Sequence, residues 1–286
     1  MHRGNTPARA RGGTSRAEPH QRLHQRWTRL HLTDREPWPD EHFVGALAAG
    51  HAGLASWLAT HGGAAGVARV LQEAWNEFHD GEFSRAKRLG EALGVFGAVV
   101  ADKAVAVDSL YSKRSEAELL KALESAIGRA ERAVSELPNQ PNTQYTLALL
   151  LGRYSQRISI VKALAAGLAG RVRQHLERAL ALEPRHAEAH LAFGLFHAEI
   201  VSKLGSLAAS LAYGASQREA LGHFRQALAL APLSPIVHME FAHGLMLLDP
   251  ARYREQAERL YRDAAECEPA DAMERLDAER ARGGLR

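Results

Sequence analysis

Small and large apolar residues alternate with polar ones in a ladder that the chain repeats four times, each time just before a proline. The segments are SAIGRAERAVSELP, RVRQHLERALALEP, EALGHFRQALALAP and EQAERLYRDAAECEP, which end at Pro138, Pro184, Pro232 and Pro269. In each segment an alanine stands five residues before the proline, and a mostly larger residue stands three positions earlier. A ladder repeated at fixed offsets predicts one helical supersecondary unit built several times.

A second part of the unit follows each of the first three prolines. Nine and ten residues after them come the large–small pairs Leu147–Ala148, Phe193–Gly194 and Phe241–Ala242. The resulting order resembles the tetratricopeptide repeat (TPR) family over about residues 65–270. The resemblance implies an all-α fold, a TPR-like α-solenoid of antiparallel helix pairs. Proline suits the end of the second helix because it cannot continue a helix and disfavours helical geometry just before itself.

The spacing of the units departs from that family. Successive prolines are 46, 48 and 37 residues apart, whereas the usual unit has about 34 residues. The extra residues fall in RYSQRISIVKALAAGLAGRV and HAEIVSKLGSLAASLAYGAS, both rich in Ala, Leu, Ile and Val. The first expectation is that two repeats have lengthened helices. The alternative is a broken hairpin, which is suggested by four glycines: Gly167, Gly170, Gly205 and Gly214.

Composition divides the chain into four parts. Residues 1–36 hold eight arginines and three acidic residues, which gives this segment a formal charge of +5. This exceeds the formal charge of +3 for the whole chain. It is expected to be a basic, largely disordered arm with a short amphipathic helix at 20–32, making at most weak contacts with nucleic acid. An N-terminal helical segment is predicted at 40–63, the TPR-like array at 64–269, and a C-terminal capping helix and tail at 270–286.

Several function classes find no support in the sequence. No apolar run is long enough for a predicted transmembrane helix. The single Cys267 fits a reducing, cytoplasmic setting. The segment His186–His190 reads HAEAH rather than HExxH, so no metal site is predicted. Without a catalytic motif, we expect a protein that is not an enzyme and has no cofactor.

The TPR resemblance also implies a binding surface, because in that family the first helix of each pair lines a concave groove. We expect this groove to bind a protein or peptide partner. The arginine and glutamate at equivalent places in neighbouring repeats, Arg153 and Glu199, are expected to pair with each other. The predicted groove residues are Asn142, Tyr145, Leu149, Arg153, Glu188, Leu191, Leu195, Glu199, Ile236, Met239, His243 and Met246.

The lengthened repeats carry a weaker resemblance to the T component of tripartite acidic-substrate (TRAP) transporters and to regulator-of-microtubule-dynamics proteins. The transporter component implies a channel between long helices that holds a small apolar ligand. A carrier of such a ligand is therefore one alternative to the scaffold. A membrane-peripheral adaptor, whose apolar inserts touch lipid, is the other. An open groove would favour the peptide, and an enclosed apolar space near Tyr145, Leu191 and Met239 would favour the carrier.

Overall fold

The computed structural model describes residues 17–284, with side chains over 21–283; the first part of the predicted arm, residues 1–16, lies outside this range. Every regular element in it is helical. A short 3-10 helix, Gly94–Gly97, precedes α6. The α-helices are α1 (Ala17–Leu30), α2 (Glu41–Ala48), α3 (Ala52–Thr60), α4 (Gly63–Asp80), α5 (Phe83–Ala92), α6 (Ala98–Tyr111), α7 (Glu116–Glu136), α8 (Pro141–Ser155), α9 (Ile160–Ala165), α10 (Leu168–Leu182), α11 (Ala187–Leu204), α12 (Ser206–Tyr213), α13 (Gln217–Leu230), α14 (Pro235–Leu248), α15 (Pro250–Glu266) and α16 (Ala272–Gly284).

The predicted all-α solenoid is confirmed. The helices pack as successive antiparallel pairs, α4 with α5, α6 with α7, α8 with α10, α11 with α13, and α14 with α15. The alanines of the repeated ladder lie between the helices of these pairs, where Ala133, Ala179, Ala227 and Ala264 are all buried. None of the described helices has the length and apolar character needed to cross a lipid bilayer.

Local signals in the sequence set the helix ends. Ser115 and Glu118 form a capping box at the start of α7, so each side chain satisfies a backbone N–H that the helix leaves free. Pro141, Pro235 and Pro250 occupy the first turns of α8, α14 and α15. Proline fits there because its missing N–H would have no partner within the helix.

The inserted residues form two additional short helices, α9 and α12, while the neighbouring helices are lengthened little, α8 having 15 residues and α11 having 18. This arrangement corresponds to the broken hairpin rather than to simple lengthening. Gly167, Gly205 and Gly214 have positive φ angles of 62°, 76° and 60°. Such angles suit glycine and interrupt an α-helix.

Close packing of small against large residues holds neighbouring pairs together. The ring of Phe224 on α13 is fully buried and lies between Gly194 of α11 and Gly244 of α14. A methyl group built on Gly194 would stand 2.6 Å from this ring, and one on Gly244 would stand closer still. Glycine at both positions therefore lets α13 approach its two neighbours.

The N- and C-terminal helices meet across the array. Leu23 and Trp27 of α1, in the region of the predicted amphipathic helix, are buried in the same core as Trp75 of α4. Helix α16 packs on α14 and also reaches α4. The guanidinium of Arg26 donates a 2.5 Å hydrogen bond to the carbonyl oxygen of Ala270. The solenoid is thus closed on its concave side by both ends of the described chain.

Replacing Gly244 with alanine is expected to destabilise the fold by about 1–3 kcal/mol, because the added methyl group overpacks the buried Phe224 ring. Gly222→Ala on α13 is the matched control, since nothing lies within 4 Å of its added methyl. This control should stabilise the helix by up to about 1 kcal/mol. Urea unfolding measures the free energy of unfolding of both variants. Equal changes in the two would contradict the packing argument.

Candidate functional site

The predicted groove residues belong to α8, α11 and α14, and the face of these helices that they were expected to line is largely covered. Asn142, Tyr145, Glu188, Leu191 and Met239 are buried. The other predicted residues are half-buried: Leu149, Arg153, Leu195, Glu199, Ile236, His243 and Met246. The groove is therefore not open along its length.

A buried ionic cluster closes one end of this face. The ammonium of Lys103, on α6, lies 2.6 Å from a carboxylate oxygen of Asp34 and 2.9 Å from one of Glu188. The hydroxyl of Thr33 donates to the second Glu188 oxygen at 2.7 Å, and the Glu188 N–H donates to the Thr33 carbonyl. The segment 31–36 between α1 and α2 is thereby fixed against α6 and α11.

Asn142 and His186 extend the same cluster into the next repeat. The amide nitrogen of Asn142 donates to the carbonyl of Asp34 at 3.0 Å and to a carboxyl oxygen of Glu36 at 2.5 Å. Its amide oxygen accepts from Nε2 of His186 at 2.9 Å, while Nδ1 of His186 accepts from the Ala189 N–H. With one ring nitrogen donating and the other accepting, His186 is a neutral imidazole.

Burial and neighbouring charges set the pKa values in this cluster. Burial raises the pKa of Asp34, but His31 and Lys103 outweigh it and hold the pKa well below its usual value. Burial also opposes the charge on Lys103, yet Asp34 and Glu188 raise its pKa overall. Burial, reinforced by the charge of Asp34, raises the pKa of Glu36 to about 8. Burial lowers the pKa of His186 to about 4.

A second polar chain ties the C-terminal helix to the same closure. His31 contacts Asp34 through Nδ1 at 2.9 Å and His79 through Nε2 at 3.1 Å. Nδ1 of His79 lies 2.7 Å from Asp271, just ahead of α16. Six residues further along, the hydroxyl of Tyr111 donates to Asp277 at 2.5 Å. These contacts hold α16 over the concave face.

A small cavity of about 90 Å³ is left under this cover. Its walls come from the inner faces of α8, α11 and α14, from α6, and from Met273 and Asp277 of α16. Seven predicted groove residues line it: Tyr145, Leu149, Arg153, Glu188, Leu191, Leu195 and Ile236. We call this space the inner chamber.

A larger cavity of about 300 Å³, the outer chamber, lies beside it beneath the two inserts. Ile160 and Leu164 of α9, Leu168 and Val172 of α10, and Phe196 of α11 supply apolar wall, and further lining residues lie on α8 and around α12. The two chambers share a wall formed by Leu149, Arg153, Ala192 and Leu195.

Arg153 does not pair with Glu199, which corrects the pairing expected from the repeats. Its guanidinium points across the shared wall and lies 4.0 Å from Glu240, and its Nε makes no hydrogen bond to any described residue. Glu199 instead accepts from Gln156 at 2.6 Å and from Lys203 at 3.0 Å. Lys203 lies one turn along α11 from Glu199, and Gln156 directly follows α8, so both partners of Glu199 are supplied without Arg153.

The histidines of HAEAH have structural surroundings. His186 caps α11 from a buried position, and Nδ1 of His190 lies 2.9 Å from Nδ1 of His223. Within the described range no group of three or more metal-ligating side chains is close enough to hold a metal ion.

Sequence reasoning missed the residues that close the groove. Thr33, Asp34 and Glu36 lie in the polar stretch that composition places in the arm, and their partners are up to 155 residues away. One signal was available. Lys103 and Asp102 interrupt the otherwise apolar run AVVADKAVAV, where charged residues on a buried helix require paired partners.

Comparison with known proteins agrees with the geometry. The family model of regulator of microtubule dynamics protein 1-3 matches residues 99–282. The chain belongs to this family. Its fold is also similar to the crystal structure of a thermophilic TPR protein from Thermus thermophilus, with a TM-score of 0.53 and 18% identity over 75% of this chain and 98% of the other. The expected resemblances to the TPR family and to regulator-of-microtubule-dynamics proteins are thus confirmed. No curated protein sequence matches the chain.

In this member of the regulator-of-microtubule-dynamics family, Lys103→Met is expected to cost about 3–5 kcal/mol of unfolding free energy, because it leaves two buried carboxylates without their cation. Lys121→Met, at an exposed position of α7, is the matched control and should change stability by less than about 0.5 kcal/mol. Denaturant unfolding provides the measurement. A loss below about 1 kcal/mol at Lys103, or an equal loss in the control, would contradict the closure.

The raised pKa of Glu36 predicts a dependence of stability on pH. Because its pKa is about 8 in the folded chain and about 4.5 in a free side chain, the folded state favours the protonated form. The contribution of this carboxyl group to the free energy of unfolding is complete below about pH 4.5 and is lost as the pH rises through about 8. Glu36→Gln should therefore reduce the fall in melting temperature between about pH 6 and pH 9. The exposed Glu41→Gln is the control and should retain the wild-type fall; an unchanged pH profile for Glu36→Gln would be the contrary result.

Proposed function

We propose that this chain is a non-catalytic helical-repeat binding protein whose ligand is an elongated apolar molecule with an acidic head group, carried in the outer chamber. One observation carries the proposal: the concave face is covered by the chain's own residues, while an apolar chamber of about 300 Å³ remains beneath the inserts. This volume lies at the lower end of the range of about 300–1,000 Å³ found for small-molecule sites. The reducing, cytoplasmic setting expected from Cys267 is part of the same proposal.

The walls of the outer chamber suit a single aliphatic chain. Most of its lining side chains are aliphatic or aromatic. Among the polar ones, Glu199 contacts Gln156 and Lys203, and Arg153 lies separately in the wall shared with the inner chamber. Sites of this kind bind through apolar contact and use a few polar groups to fix the orientation of the ligand. The chemistry therefore favours an amphiphile with one polar end.

Arg153 is the residue we assign to the acidic head group. It lines both chambers, its Nε has no partner among described side chains, and its contact with Glu240 is long at 4.0 Å. A guanidinium has five N–H donors in a planar fork that matches a carboxylate or phosphate. Lys203 is less suited, since Glu199 already accepts from it at 3.0 Å.

A second candidate is a scaffold that binds a protein partner at the open part of the concave face. Leu195, His243 and Met246 remain half-exposed there, and the family is described as regulating microtubule dynamics. A partner at this place would be short, because the buried cluster around Lys103 blocks the other end of the face. The apolar chamber plays no part in this second function.

Filling the shared wall should separate the two candidates. Ala192→Trp is expected to lower the affinity for dodecanoate at least about tenfold, because the indole occupies space that the aliphatic chain needs. Ala229→Trp, on an exposed face of α13, should bind as the wild type does. Isothermal titration of the full chain measures both variants, and circular dichroism checks that they fold.

The head group is tested with a pair of ligands that differ only there. Arg153→Gln should weaken dodecanoate about tenfold and leave dodecanol nearly unchanged, since only the acid loses a charged partner. If wild-type protein binds neither ligand, the carrier proposal is wrong and the protein-partner candidate takes its place. Equal losses for acid and alcohol would remove Arg153 from the assigned role.

A further inference from the structure

The exposed apolar side chains of the described chain are concentrated in the inserts. Of the seven large hydrophobic residues that are exposed, five lie on α9 and α12, two helices of six and eight residues. They are Ile160, Val161, Leu164, Leu207 and Leu211. Large apolar side chains exposed in one region of a soluble protein mark a contact site. We call these five residues the insert patch.

The insert patch belongs to the outer chamber. Ile160 and Leu164 line the chamber from α9, while Leu204, the last residue of α11, and Tyr213, the last residue of α12, line it on the other side. The ends of both helices are defined locally. The hydroxyl of Ser159 caps α9, and Gly205 and Gly214, which have positive φ angles, flank α12. The same two helices therefore present apolar side chains outward and cover the chamber.

The charged residues within the two inserts are all basic. Residues 156–168 and 200–215 contain Arg157, Lys162 and Lys203 and no aspartate or glutamate. Arg157 pairs with Glu116 on α7, and Lys203 pairs with Glu199, so Lys162 is the cation left without an acidic partner among the described residues. Basic residues beside exposed apolar ones are the combination that binds anionic lipid surfaces, where aliphatic side chains enter the interface and cations meet the head groups.

We propose that α9 and α12 dock on the surface of a lipid bilayer that carries anionic head groups, so that the outer chamber faces its supply of amphiphile. This inference rests on the proposed carrier function. A second copy of the chain fits the patch less well. A two-fold contact would bring like patches together and set their basic side chains facing one another. Five side chains on two short helices also supply far less than the roughly 800 Å² per partner of a stable interface.

Vesicle co-flotation of the full chain tests the docking. The vesicles are phosphatidylcholine alone and phosphatidylcholine mixed with phosphatidylserine. Wild-type protein should float with the mixed vesicles, less so in high salt, and at least about tenfold less with the neutral ones. Val161→Asp combined with Leu211→Asp should abolish flotation, because the two side chains are 72% and 80% exposed in the patch. Lys162→Gln should weaken it severalfold.

The matched control is Leu233→Asp, since Leu233 is 67% exposed but lies outside the inserts. It should float as the wild type does. Equal loss in this control, or flotation that survives in the Val161 and Leu211 double variant, would overturn the assignment of the surface. Absence of wild-type flotation together with self-association that the double variant abolishes would make the patch an interface between copies and would also overturn the proposal.

Titration with dodecanoate separates this inference from the carrier function. The double variant should still bind dodecanoate in solution, because neither Val161 nor Leu211 lines the chamber, whereas Ala192→Trp should float but bind poorly. Retained dodecanoate binding without wild-type flotation would refute docking alone. Flotation without dodecanoate binding in the wild type would refute the carrier function and, with it, the supply role proposed for the surface.

Discussion

The buried charge of Lys103 is the constraint on which the architecture of this chain depends. An ammonium and two carboxylates removed from water are unfavourable unless each keeps its partners in good geometry. Here the partners come from three separate parts of the chain, since Asp34 precedes α2, Lys103 lies on α6 and Glu188 begins α11. Satisfying them requires segment 31–36 to lie across the inner face of the repeats. Closure of the solenoid is thus the condition under which these charges can be buried at all.

This closure moves the candidate binding surface. An open array of helix pairs offers its concave face to a partner, but here Thr33, Asp34 and α16 occupy much of that face. The accessible apolar space is instead the outer chamber, which lies beneath the insert helices α9 and α12. Glycines with positive φ permit this arrangement, because an unbroken helix would fill the space with its own side chains. The outer chamber therefore follows from the same residues that make the repeats unusually long.

The helix pairs could be predicted from sequence because their determinants are local. The alanine ladder, the first-turn prolines and the capping box at Ser115 act within a few residues of where they stand. The shared inner face of α8, α11 and α14 follows from the same periodicity. The segment that covers this face could not be predicted in the same way. Its sequence, HLTDRE, is polar and resembles part of an arm, because the residues that it contacts are distant in the sequence. The contacts of Arg153 with Glu240 and of Glu199 with Gln156 likewise join residues that are distant in the sequence.

The central claim is that ligand enters beneath the inserts while the closed inner face stays closed, and hydrogen–deuterium exchange with and without dodecanoate tests it most directly. The account predicts slower exchange in α9, in α12 and in the part of α10 around Leu168–Val172 on adding ligand, with residues 31–36 unchanged. Faster exchange at residues 31–36, with no protection in the inserts, would show that the groove opens to admit its partner and would contradict the account.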